Sequence, residues 1–235
     1  MAKIDFSWDE LNPESEIDKD NGEAGEELPT RKNLQFARRL FHMANGVTIA
    51  TLYWLSFTHQ QAIHTLGTFA CLLYVMEQIR INYPEMSQKL LPVMKFIMRA
   101  EEQLKESAMV PYAFAVLLTI ITFPKPLALI AIYTLAISDP LSAIIGIKYG
   151  KRRVVPHKSL EGSAAFLISS FLISLFILSA TIGGFSITVL VVSIVLSLGV
   201  SIFEMLPLKV DDNLTIPLFT AFFGWVVCLL FGVHI

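Results

Sequence analysis

The chain has 235 residues, is 54% hydrophobic and only 16% charged, and has a mean hydropathy of +0.60. A soluble domain is nearer half apolar and a quarter charged. The excess lies in apolar runs of roughly 17–22 residues, the length that crosses a hydrocarbon core of about 30 Å. Composition therefore excludes an ordinary water-soluble enzyme and predicts an all-α polytopic membrane protein.

The net charge of -2 conceals a split. Residues 1–30 hold ten acids and two bases, which leaves 16 bases against 10 acids, a net +6, over residues 31–235. The acidic leader has too few apolar residues to bury a core and is read as a disordered segment. It has neither the basic start nor the apolar run of a signal peptide, so the first span is expected to act as the insertion signal. Residues 31–235 are expected to form one membrane-embedded catalytic domain. Cys71 and Cys228 fall inside apolar runs and read as small packing residues.

Apolar runs and their breaks predict seven spans, at about residues 43–58, 61–79, 108–123, 127–147, 162–182, 186–205 and 214–233. Lys and Arg cluster in every second connection: Arg31 to Arg39, Arg80 to Lys105, Lys148 to Lys158, and Lys209. Basic connections stay in the cytosol, so the N-terminus is expected there and the C-terminus outside. Between spans two and three, Leu90, Leu91, Val93, Met94, Ile97 and Met98 recur at helical spacing beside Lys89, Lys95 and Arg99. That pattern fits an amphipathic helix on the inner membrane surface, or equally a cytosolic helix packed on the bundle. Nothing in the charge pattern calls for nucleic acid as a partner.

Ionisable groups inside spans are costly and mark working sites. Asp139 is the deepest, about nine residues and some 13 Å from Lys148 along a regular helix. Pro140 follows it and removes a backbone donor, which predicts a kink beside the carboxylate. Packing against a basic residue is the plainer alternative for Asp139. Next comes Gly146-Ile-Lys148-Tyr-Gly150-Lys151, running into Lys158-Ser159-Leu-Glu161-Gly162-Ser163. Glycines four apart are commonly a helix-packing face. Followed by several cations they also suit polyphosphate, and with Asp139 and Glu161 the set suits a magnesium–nucleotide site. Glu204, Asp211, Asp212 and Asn213 gather on the same side, with Asp212 or Asn213 as a possible helix cap. Arg38, Arg39, His42 and Asn45 open the first span, either as topological anchors or as part of the site.

Several of these motifs together resemble the CTP-dependent lipid-alcohol kinases, the family of dolichol kinase, phytol kinase and the yeast-type CTP-dependent diacylglycerol kinase. The central resemblance is Asp139-x-x-Ser142-x-x-x-Gly146-x-x-x-Gly150-Lys151 followed by Lys158-Ser159-x-Glu161-Gly162-Ser163. Arg38-Arg39-x-x-His42 with Gly46 resembles the entry motif, Glu77-x-x-Arg80 an acid–base pair, and Glu204 with Asp211-Asp212-Asn213-Leu214 the late motif. Arg39 stands where Lys is usual, and Ser142 where Ala is common. The resemblance runs over residues 38–217 and implies transfer of the CTP γ-phosphate to a lipid alcohol at the cytosolic face, with Mg2+ as cofactor. It implies Asp139 as metal ligand or proton acceptor, and Glu161, Asp212 and Asn213 as further metal or base candidates. Arg38, Arg39, His42, Gly146, Lys148, Gly150, Lys151, Lys158, Ser159 and Gly162 would hold the nucleotide, with Glu77, Arg80 and Glu204 in support. The expected setting is the plasma membrane of a prokaryote rather than the endoplasmic reticulum. Two rivals are a cytidylyltransferase making CDP-lipid and a small ion-coupled transporter using Asp139.

Overall fold

A computed structural model describes residues 31–83 and 109–235, apart from 156, 157 and 209. The chain divides into two units, Met1–Gln35 and Phe36–Ile235, and the second is the subject below. The acidic leader and the amphipathic stretch 86–106 lie outside the described residues.

Seven helices occur among the described residues: α1 (Arg31–Leu55), α2 (His59–Asn82), α3 (Met109–Thr122), α4 (Lys125–Tyr149), α5 (Leu160–Ile182), α6 (Ile187–Glu204) and α7 (Asp212–Leu230). Five of them, α2, α4, α5, α6 and α7, are long and apolar enough to cross a membrane. The seven predicted spans each fall on one helix. α1 begins well before the predicted 43, because its basic first turns are helical too. The apolar α3 has only 14 residues.

One element departs from the all-helical expectation. Between α4 and α5 a two-stranded antiparallel ribbon pairs β1 (Arg153–Val155) with β2 (Lys158–Ser159). The strands hold three and two residues, too few for alternation to show.

Polar residues at the breaks start the helices. Thr58 and Gln61 form a reciprocal capping box at α2 (Gln61 N to Thr58 Oγ1 3.3 Å, Thr58 N to Gln61 Oε1 3.0 Å). Ser186 caps α6 and Ser159 caps α5 by a single bond each, accepting from Val189 N and Gly162 N. Each accepts orphan amides that lipid could not satisfy.

α4 is the central helix. Residues 127–132 and 134–136 are buried without interruption, against α5, α7 and α1. α1 runs antiparallel to α4: Gly46 meets Ala136, Thr51 Oγ1 lies 2.9 Å from Tyr133 Oη, and Lys125 Nζ reaches the Trp54 and Phe57 carbonyls. That register brings Arg39 and His42 level with Asp139. α5 and α6 pack through small polar residues, Ser163, Ser170 and Ser174 facing Ser193, Ser197 and Ser201. Small side chains let helices approach closely where lipid offers no hydrophobic gain.

Candidate functional site

Asp139 sits where α4 changes its winding. Residues Thr134–Ser138 form a π turn, and the Asp139 amide donates to the Thr134 carbonyl five residues back. Pro140 accounts for the widening, since its nitrogen has no proton and its ring crowds the carbonyl four residues before it. Such single-turn π segments concentrate at functional sites. The sequence predicted a break here but not its form.

The charged groups acting on Asp139 are the cations Lys158 and Arg39 and the anions Asp212 and Glu204. They come from the β-ribbon, α1, α7 and α6, so four elements bring charges within electrostatic reach of Asp139. Lys158 Nζ is the hub: it pairs with Glu204 Oε1 and stands 3.9 Å from Asp212 Oδ2. The Glu204 side chain is only 1% exposed, whereas that of Asp212 is 54% exposed. The pair therefore has one dry member, and a bare Glu204 would be costly without its lysine.

Several polar atoms around this cluster are buried and have no hydrogen-bond partner among the described residues. They are Arg39 Nη1, Glu204 Oε2, and the hydroxyls of Tyr112, Thr134, Ser138 and Ser163. The His42 ring meets the Tyr112 ring edge-on at 4.7 Å. Buried groups are normally satisfied, and an unsatisfied one calls for an explanation. Here they gather about the π turn and the Lys158–Glu204 pair. Tyr112, Thr134 and Ser138 were not visible as candidates in the sequence. An isolated hydroxyl in an apolar run is usually back-bonded to its own helix, as Thr119 and Thr220 are.

The other predicted residues have distinct surroundings. Gly146, Gly150 and Gly162 let α4 and α5 touch. A Cβ at Gly162 would come within 2.7 Å of the Ser142 carbonyl oxygen, and one at Gly150 within 2.7 Å of Ser159 Cβ at the cap of α5. Close packing accounts for these glycines. Ser159 Oγ accepts from Gly162 N at 3.1 Å as the cap of α5. Glu161 Oε2 accepts from the amides of Lys151 and Arg152 (3.2 and 3.5 Å), so it tethers the turn after α4. Lys148 and Lys151 are exposed, Lys148 lying over the Tyr149 ring. Asp211, rather than Asp212 or Asn213, caps α7, its Oδ1 accepting from Asn213 N at 2.9 Å. That leaves Asp212 in the first turn of α7, facing Lys158. Glu77 and Arg80 form a buried ion pair in the last turn of α2, with Nε to Oε2 at 2.9 Å. The side chains of Arg38 and His157 lie outside the described residues.

The arrangement offers two kinds of chemistry. Lys158 and Arg39 can neutralise a polyanion, and Asp139 can take a proton or a metal bond. No three His, Cys, Asp or Glu side chains among the described residues are set to hold a metal by themselves. Magnesium needs no such cage, because it keeps several waters and binds through one or two carboxylates plus substrate phosphates. The free Oε2 of Glu204 and the solvent-facing Asp212 suit that mode.

The chain is similar to several known proteins. The chain is 28% identical over 137 residues to the CTP-dependent diacylglycerol kinase 1 of Saccharomyces cerevisiae, which covers 57% of this chain and 47% of the yeast protein. It is 35% identical over 101 residues to the phytol kinase of a Synechocystis species, covering 42% and 43% respectively. A probable chloroplastic phytol kinase 1 of Glycine max matches at 26% over 215 residues, 84% of this chain and 69% of the relative. The matched regions thus span about half the length of the first two relatives. No family model and no solved structure matches.

Proposed function

We propose that this chain, a homologue of the CTP-dependent lipid kinases, transfers the γ-phosphate of CTP to the hydroxyl of a membrane lipid alcohol, such as a polyprenol, phytol or diacylglycerol. The observation that carries the reading is the cluster of Lys158 with Glu204 and Asp212, within electrostatic reach of Asp139 at a π turn inside an apolar helix. Phosphoryl transfer needs charge neutralisation, in-line placement and a proton acceptor or metal near the attacking oxygen. Lys158 and Arg39 are the cations for the phosphates. Asp139, set on the apolar side of that charge cluster, takes the proton of the lipid hydroxyl. The lipid oxygen then bonds to the γ-phosphorus as the bond from that phosphorus to the bridging oxygen breaks, releasing lipid phosphate and CDP.

Glu204 and Asp212 are the carboxylates that would hold Mg2+ together with the nucleotide; the ion would offset charge on the phosphate oxygens. On nucleotide binding, Lys158 exchanges part of its contact with these carboxylates for contact with phosphate. The basic connections put this face in the cytosol, with seven spans and an external C-terminus. The setting favoured is a prokaryotic plasma membrane.

A cytidylyltransferase would use the same nucleotide and face but attack the α-phosphorus. Purified protein given Mg2+, CTP or ATP, and either a panel of lipid alcohols or phosphatidate, the lipid phosphate that a cytidylyltransferase needs, separates the readings when products are weighed by mass spectrometry. The kinase reading predicts lipid monophosphate and CDP, formed with CTP and lost with EDTA. A cytidylated lipid with pyrophosphate would replace it by the rival, and nucleotide-independent ion flux would favour a transporter.

A further inference from the structure

Among the described residues, one cation, Lys158 Nζ, meets both Glu204 and Asp212: it pairs with Glu204 Oε1 and stands 3.9 Å from Asp212 Oδ2. A single positive charge thus serves two carboxylates. Glu204 Oε1 takes the lysine, while the buried Oε2 has no hydrogen-bond partner among the described residues. A dry carboxylate answered on one oxygen only is short of positive charge.

The backbone of Lys158 is fixed, but its side chain is not. Lys158 pairs with Val155 in the β-ribbon, and Ser159 beside it caps α5. Leu160 N donates to the Arg152 carbonyl at 2.8 Å and closes the ribbon one residue further on. From that anchor to Nζ runs a flexible four-carbon stem. The side chain is 28% exposed, so the ammonium can turn outward while the ribbon stays in place.

We propose that Lys158 holds the place of a divalent cation beside Glu204 and Asp212 until nucleotide arrives, so that the ion enters with the nucleotide and not before it; the assignment rests on the kinase reading above. Charge favours the two exchanges together and neither alone. An ion entering by itself would meet an ammonium already paired with its ligand, and like charges at that distance repel. A triphosphate entering by itself would meet the carboxylates. With both present, the phosphates draw off the lysine, and two positive charges answer the two carboxylates that one lysine leaves short. The space for the ion is the space the ammonium vacates. Mg2+ suits the exchange, because it keeps several waters and needs only one or two carboxylates beside the phosphates. Coupling of this kind is reciprocal: nucleotide raises the affinity for metal by the same factor as metal raises that for nucleotide.

The test measures metal binding without phosphoryl transfer. Full-length protein in detergent is titrated with Mn2+ as a paramagnetic probe, with no lipid alcohol present. Lys158→Met removes the ammonium and keeps an apolar stem. With Mn2+ alone, this variant should bind one ion about 30-fold more tightly than wild type, within the usual range of coupling between sites. Wild type should reach a comparable affinity only when CTP is added, counted as the excess over a protein-free sample with the same CTP. Mn2+ should also raise the melting temperature of Lys158→Met, whose Glu204 has lost its cation, and leave that of wild type unchanged. Adding Glu204→Gln to the variant should abolish both responses. Equal Mn2+ affinity in wild type and Lys158→Met overturns the proposal, as does a variant that fails to fold even when purified with Mn2+, since the ion then does not replace the ammonium. Either response persisting in the double variant places the ion elsewhere and overturns it too. The kinase reading is tested separately, by the lipid phosphate that wild type forms with CTP, so the two failures are told apart.

Discussion

The two ends of the α1–α4 pair treat buried polar groups in opposite ways. At the Lys125 end the described polar groups that meet there are paired. Lys125 Nζ donates to the Trp54 and Phe57 carbonyls at 3.1 and 2.8 Å, closing the C-terminus of α1, and lies over the Tyr53 ring. Tyr53 Oη in turn meets His59 Nδ1 at 2.7 Å. At the Asp139 end, Arg39, Tyr112, Thr134, Ser138 and Glu204 each keep an unanswered atom among the described residues. A cation fully used on its own backbone is scaffold. A carboxylate ringed by unsatisfied donors and acceptors is a place built for something else to bind. The same helix thus carries an intramembrane charge for each purpose, and charge alone does not tell them apart.

The contrast breaks most sharply at Asp139. Asp139→Asn keeps the size and polarity but cannot accept the proton, and lipid phosphorylation should fall by about 10²–10⁴-fold with little change in melting temperature. Wild-type turnover in a membrane assay would end its assignment. Lys158→Met should damage both properties. Removing it strands the dry Glu204 carboxylate, a loss of about 3 kcal/mol in stability, and removes a phosphate contact. Adding Glu204→Gln to that variant should recover stability in denaturant melts without recovering activity.

Lys125→Met tests the other end. It should lower stability by about 2 kcal/mol through the two lost charged hydrogen bonds, yet leave turnover per folded molecule unchanged. A selective loss of catalysis there would erase the distinction between the ends. The smallest effect is expected at Glu161. Because it tethers the Lys151–Arg152 turn, Glu161→Gln should raise KM for CTP by about threefold with kcat nearly constant. A collapse in kcat would return Glu161 to the reacting centre, where the motif resemblance had put it.

Much of this was legible in the sequence because lipid forbids idle charge. Asp139 stands out in an uncharged run, Pro140 marks the break beside it, and apolar length marks the five described helices that are long enough to span a membrane. What was hidden depends on distance through space. Lys158 and Glu204 are 46 residues apart, and no local pattern joins them. Glu161 accepts from the Lys151 and Arg152 amides ten and nine residues earlier, a contact set by the turn after α4 that no local spacing announces. Asp211 rather than its neighbours took the cap of α7, a choice of one residue that periodicity does not resolve. Tyr112, Thr134 and Ser138 were invisible for a simpler reason. An unsatisfied hydroxyl and a back-bonded one are spelled with the same residues.

The central claim is that the Asp139 end moves the terminal phosphate of CTP onto a lipid hydroxyl. The most direct test supplies purified protein and a lipid alcohol, or in parallel phosphatidate, with CTP carrying radioactive phosphorus at either the γ or the α position. The account predicts labelled lipid from the γ-labelled nucleotide alone, and none with Asp139→Asn. Labelled lipid from α-labelled CTP, or equal labelling by the Asp139→Asn protein, would contradict it.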